Sequence, residues 1–153
     1  MTVIFIDTSV FCNLIPVPGR AQDEAHVRGE LKTRLERGDQ FILPITAVIE
    51  TGNFIAQLHD GGQRRATAST FEAILRLVCN DQAPWILHDV SWNRPFLERF
   101  LDGAETGQAY VGHAQNKVGA GDLCILTERA EYVQRTRVRT EIWTLDGALG
   151  AHN

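Results

Sequence analysis

Val3-Ile4-Phe5-Ile6-Asp7-Thr8-Ser9 is the stretch on which the fold turns. Four apolar residues follow one another without alternation, and three of them are β-branched. Such a run reads as a strand buried on both faces, the kind found in parallel sheets covered by helices on either side. The same signature recurs at Phe41-Ile42-Leu43, closed by Pro44, at Trp85-Ile86-Leu87, and from Glu141 to Leu145.

Helical stretches fill the intervals. One follows the Pro16 to Gly19 turn, runs through Leu31 and Leu35, and stops at Gly38. The next carries Ala47, Val48, Ile49, Phe54, Ile55 and Leu58; Thr46 is its expected N-cap and Gly61-Gly62 its expected end. An amphipathic helix through Phe71, Ile74, Leu75 and Val78 comes next, then one over Asn93 to Leu101 with Pro95 in its first turn. The segment from Asp102 to Gly121 is the least readable, with one poor helix between Gly107 and Gly119. A last helix runs from Asp122 to about Arg135. Strands alternating with helices predict a three-layer α/β/α fold around a central parallel sheet of four strands, or five, in a single domain spanning 1–153.

The bulk properties agree. At 153 residues and 17.1 kDa, the chain fits one domain, and a chain of this size buries roughly two-thirds of its unfolded surface. No apolar run approaches the roughly 18 residues of a membrane span, and the opening MTVIFIDTSV lacks the basic leader of a signal peptide. Cys12, Cys79 and Cys124 are scattered without C-x-x-C spacing, which predicts free thiols and a cytoplasmic setting. A net charge of −4 and a pI near 5.7 argue against a generic basic nucleic-acid coat. They leave room for an enzyme that meets phosphates through metal ions.

Four acids stand where chemistry is expected. Asp7 and Asp146 each follow a strand directly, and ligands of parallel sheets collect outside the strands' carboxyl ends. Either could equally be a helix N-cap. Glu50 lies on an apolar helix with no Lys or Arg within a turn, its bland alternative being a solvent stripe shared with Asn53 and Gln57. Asp122 sits in GAGDLCIL, where the glycines at 119 and 121 either let the backbone approach something closely or simply start a helix. Hard cations such as Mg²⁺ or Mn²⁺ prefer carboxylate oxygens, and four clustered carboxylates would take up protons unless cations joined them. A site of that kind suits phosphodiester hydrolysis.

DTSVF after a first apolar strand, a Glu on the helix after the second, GAGD opening a late helix, and TLD after a late strand resemble a PIN domain. The resemblance covers nearly the whole chain. It implies a Mg²⁺- or Mn²⁺-dependent endoribonuclease, most often the toxin of a toxin–antitoxin pair of the VapC kind, with RNA as substrate, an antitoxin protein as partner and a homodimeric state. On this resemblance Asp7, Glu50, Asp122 and Asp146 are the catalytic, metal-binding acids. Thr8 or Ser9, and Thr144, are the hydroxyl residues behind them.

The chain departs from the family pattern at Ala148 and Leu149, where a polar residue and an aromatic are common, and in a long 81–117 segment. A catalytically weak or inactive PIN-like module that binds RNA or a protein therefore stands as the alternative. A haloacid-dehalogenase-type phosphatase fits less well, since Ser9 occupies the place of its second Asp. Arg129, Arg135 and Arg137 form a basic patch that either holds RNA or complements a helix end. His59, His88 and His113 are expected to be structural or surface residues. Trp92 and Tyr110 are base-stacking candidates that more plausibly pack against the core or a partner.

Overall fold

A computed structural model describes all 153 residues, arranged as four strands and eight helices. Strands β1 (Val3–Ile6), β2 (Gln40–Ile42), β3 (Trp85–Ile86) and β4 (Thr140–Trp143) form one sheet in the order β3-β2-β1-β4, and every neighbouring pair is parallel. The helices are α1 (Thr8–Leu14), α2 (Glu24–Glu36), α3 (Ile45–Ala56), α4 (Gly61–Cys79), α5 (Arg94–Leu101), α6 (Tyr110–Gln115), α7 (Ala120–Thr136) and α8 (Gly147–Gly150). The architecture is the expected α/β/α sandwich, with four strands and no fifth.

The unbroken apolar run of β1 is explained by two cores lying back to back. Successive side chains of a strand point to opposite faces. Ile4 and Ile6 join Phe41 and Trp143 on one face, packed under Phe11 of α1, Val27 of α2, Ala47 and Ile55 of α3 and Val78 of α4. Val3 and Phe5 join Ile42 and Ile142 on the other, under Leu123, Ile125 and Leu126 of α7 and Leu149 of α8. A polar residue anywhere in the run would face a core, and truncating Phe5 to Ala would cost about 3–5 kcal/mol.

Several local expectations need correction. The seven-residue α1 was not expected, because its Val10-Phe11-Cys12 stretch carries no helical periodicity of its own. It forms because Asp7 caps it and its side chains are buried nearly all round. Helix α3 starts at Ile45, with Pro44 rather than Thr46 at the cap position. Gly61 and Gly62 do not end α3, which stops at Ala56. They open α4 behind Asp60, whose side chain accepts from Gln63 N. Strand β4 stops at Trp143, two residues short of Leu145, because Thr144 turns its hydroxyl towards Asp7.

The chain steps outward from β1 through β2 to β3, then returns to the opposite side of β1 for β4, so the strand order reverses between β1 and β4. Beyond the carboxyl ends at such a reversal lies the customary ligand crevice of open α/β sheets. The outer side of β4 is covered differently. There the Asn153 carboxamide accepts from Ile142 N at 2.6 Å and donates to Ile142 O at 2.8 Å. Arg129 holds that tail in place through His152 O at 2.7 Å and Asn153 Oδ1 at 3.2 Å.

Candidate active site

Asp7 leaves β1 at the reversal point and caps α1. Its Oδ2 accepts from Ser9 Oγ and Thr144 Oγ1, each at 2.7 Å, and more weakly from Ser9 N at 3.4 Å. The two hydroxyl oxygens are oriented in turn by backbone donors, Leu145 N to Ser9 Oγ at 3.0 Å and Asp146 N to Thr144 Oγ1 at 2.9 Å. Both hydroxyl protons are thus committed to the same carboxylate oxygen. Asp7 is only 3% exposed, yet its Oδ1 is buried without any hydrogen-bond partner. Leaving such an atom unsatisfied costs about 1–3 kcal/mol, more for a charged group.

Glu50 reaches the same place from α3. Its Oε1 accepts from Thr8 Oγ1 at 2.7 Å, and its carboxylate lies against Gly121 at the start of α7. A Cβ on Gly121 would stand 2.7 Å from Glu50 Oε2, inside any allowed contact, whereas one on Gly119 would meet nothing within 4 Å. Of the two glycines in GAGD, the second therefore makes room and the first only caps the helix.

Asp122 sits in the first turn of α7. Burial pushes its carboxyl up to about 7, helped by the negative charges of Asp7, Asp146 and Glu50 and opposed by a backbone hydrogen bond at Gly119. Asp146 follows β4, is exposed, and caps α8 by accepting from Ala148 N at 2.9 Å. Its capping role and its place beside the other acids coexist, as they do for Asp7.

All four acids line one cavity of about 330 Å³, together with Thr8, Ser9 and a fifth acid, Asp23. No three His, Cys, Asp or Glu side chains are grouped closely enough to hold a metal ion. The cavity is lined by five carboxylates and one cation, so like charges oppose one another there.

Sequence reasoning missed the cavity's other wall. Asn13, Arg20, Asp23 and Phe54 all line it. The available signal was the Pro16 to Gly19 turn, which directs the chain back over the end of β1. The basic residues singled out from the sequence lie elsewhere. Arg129 is bound to the C-terminal tail, Arg135 faces His88, and Arg137 terminates α7 in a left-handed conformation. Thirteen residues of helix put Arg135 about 20 Å along the axis from Asp122. His113 is fully buried and accompanied by Thr106. His88 packs against Phe5 and Tyr132, with Nδ1 at 3.3 Å from Glu128 Oε1. Burial raises Glu128 to about 8 and lowers His88, which disfavours an ion pair between them.

Comparison with protein-family models, with curated proteins and with solved structures finds no match to this chain. No helix is long and apolar enough to cross a membrane.

Proposed function

We propose that the chain is a Mg²⁺- or Mn²⁺-dependent endoribonuclease of the PIN type, acting at the cavity bounded by Asp7, Glu50, Asp122 and Asp146. The observation that carries this reading is Asp7 Oδ1, a buried carboxylate oxygen with no partner in a cavity of carboxylates. An atom in that state calls for a cation. The acidic donors around it are carboxylate oxygens, which suit a hard divalent ion better than zinc or copper. When bound, such an ion would polarise a phosphoryl oxygen and lower the pKa of a water.

The chain's own residues do the rest. Ser9 and Thr144 fix Asp7 through one oxygen and leave the other to the ion. Thr8 orients Glu50, and Gly121 gives it space. Asp122, neutralised in part when no cation is present, would ionise when one enters. Asp146, exposed and already capping α8, fits a peripheral or water-mediated ligand. The RNA phosphodiester would enter from the open side of the cavity, where Arg20 is the cation.

Within this reading the wider biology is that implied by the family resemblance: a cytoplasmic toxin with an antitoxin partner, working as a homodimer. The competing reading, a PIN-like module that binds RNA or protein without cutting, draws on the spread of the acids and on Ala148 and Leu149. The deciding experiment is cleavage of a panel of labelled RNAs by purified protein with Mn²⁺, with Mg²⁺ and with chelator. Metal-dependent cleavage abolished by Asp7→Asn supports the nuclease. Equal cleavage with and without chelator, or full activity in Asp7→Asn, overturns it. Tight RNA binding without cleavage selects the binding module.

A further inference from the structure

Arg20 stands alone among the residues of the acidic cavity. It is the cavity's one cationic lining residue, and it forms no ion pair with any of the five carboxylates around it. Its guanidinium carbon lies instead over the Phe54 ring, 3.4 Å from the centroid, and no carboxylate or carbonyl accepts from its N–H groups. Stacking occupies the face of a guanidinium and leaves its N–H donors, which lie in the plane, free to bind.

The segment that carries Arg20 is anchored rather than loose. Val17 N donates to Cys12 O at 2.8 Å and Arg20 N to Val17 O at 2.9 Å. The buried Asn13 side chain ties the far end of the segment to α1, accepting from Asp23 N at 3.0 Å while its amide donates within the helix to Ser9 O at 2.9 Å. Phe54 comes from α3, the helix that carries Glu50. The guanidinium is therefore held by both walls of the cavity, with its donors unspent. A planar fork of free donors beside a candidate cation site matches a phosphate oxygen in shape and charge.

We infer that Arg20, braced on Phe54, is the substrate-phosphate contact of this cavity, binding the backbone of single-stranded RNA beside the acids; the inference rests on the ribonuclease reading above. Arg20 would touch substrate. Phe54 would act through Arg20, as a positioning residue.

The test compares wild type with Arg20→Ala, Arg20→Lys and Phe54→Ala on a fluorescein-labelled single-stranded RNA oligonucleotide. Cleavage is followed with Mn²⁺, and binding by anisotropy with Ca²⁺ in its place, at several salt concentrations. Arg20→Ala should raise KM and Kd at least tenfold, with kcat within about threefold of wild type. It should also flatten the dependence of log Kd on log salt by about 0.7, as expected for one lost contact to a single strand. Arg20→Lys should keep the salt slope and lose affinity several-fold. Phe54→Ala should fall between, with its largest effect on KM. The melting temperature should stay close to that of wild type for Arg20→Lys, which keeps the one positive charge among the carboxylates at an exposed position.

Wild-type KM, Kd and salt slope in Arg20→Ala, alongside active wild type, would overturn this inference and leave the ribonuclease reading intact. Wild type that binds the oligonucleotide through Arg20 but never cuts it would overturn the ribonuclease reading alone. No binding and no cleavage by wild type would overturn both.

Discussion

The Glu50 carboxylate rests where a side chain on Gly121 would have to be, with Oε2 only 2.7 Å from the position of the missing Cβ. The obstacle is the far end of a flexible side chain rather than backbone, so the clash can be relieved cheaply by moving Glu50. Gly121→Ala should accordingly fold normally, with a stability between neutral and about 1 kcal/mol better than wild type from helix propensity. Its RNA cleavage should drop by at least tenfold because Glu50 is displaced. Gly119→Ala, at a site with open space, should keep most of its activity. Melting curves and initial rates on the two variants check this.

Thr144 links β4 to the one oxygen of Asp7 that has partners. Thr144→Val keeps the shape and removes the donor, leaving Asp7 Oδ2 with Ser9 and depriving Asp146 N of its acceptor. The expected loss is about 1–2 kcal/mol of stability. A loss of roughly 10–100-fold in Mn²⁺ affinity is also expected, as for other residues that orient metal ligands. Thr144→Ser should restore both. Titration calorimetry with Mn²⁺ separates the metal effect from the folding effect.

Asp122 makes metal-free stability depend on pH. Its folded value near 7 lies above the ordinary 3.8, so the folded protein binds the extra proton between those limits. Stability should therefore fall as pH rises from about 4 to 7, by roughly 1–2 kcal/mol once solvent screening in the open cavity is allowed for. Asp122→Asn should flatten that slope. Mn²⁺ should raise the melting temperature more at pH 7.5 than at pH 5.5, because proton and cation compete for the same carboxylates. Thermal unfolding at the two pH values, with Mn²⁺ and with chelator, gives the sign directly.

Glu128 offers a second pH effect, on the far side of the sheet from α1. Its value near 8 arises first from burial and then from the charge of Glu131. The proton held on folding is released only above that value, so stability falls as pH rises from about 4.5 to 8, with a full cost of about 5 kcal/mol beyond it. Glu128→Gln should be close to neutral at pH 5 and clearly stabilising at pH 9. Urea midpoints at the two pH values test it, and no gain at pH 9 would contradict the buried, protonated carboxyl.

The architecture was legible because burial on two faces writes itself into consecutive apolar residues: Val3 to Ile6 has no alternation since there is no solvent side. What escaped was determined by tertiary contact. Helix α1 has no periodic pattern and depends on the Asp7 cap, and the glycines at 61 and 62 look the same to a reader whether they end a helix or begin one. The acids could be read one by one from their place after strands and at helix starts. Their hydroxyl partners could be read only through the family resemblance, because Thr144 meets Asp7 across 137 positions of chain. For Arg20 and Phe54 the only local mark was the Pro16 to Gly19 turn, which says that the chain bends but not what it meets. They meet because the segment after α1 brings Arg20 over Phe54 of α3.

The Asn153 carboxamide presents one acceptor and one donor to Ile142, the same pair of groups a neighbouring strand would offer. A bare strand edge is a template on which another chain can add, and proteins guard such edges to stay dispersed. Here one side chain, latched by Arg129, does the guarding. Asn153→Ala or Arg129→Ala would be expected to leave the candidate site untouched and yet make concentrated protein prone to self-association, measurable by light scattering. Asn153 is in this sense a lock on growth of the sheet past β4.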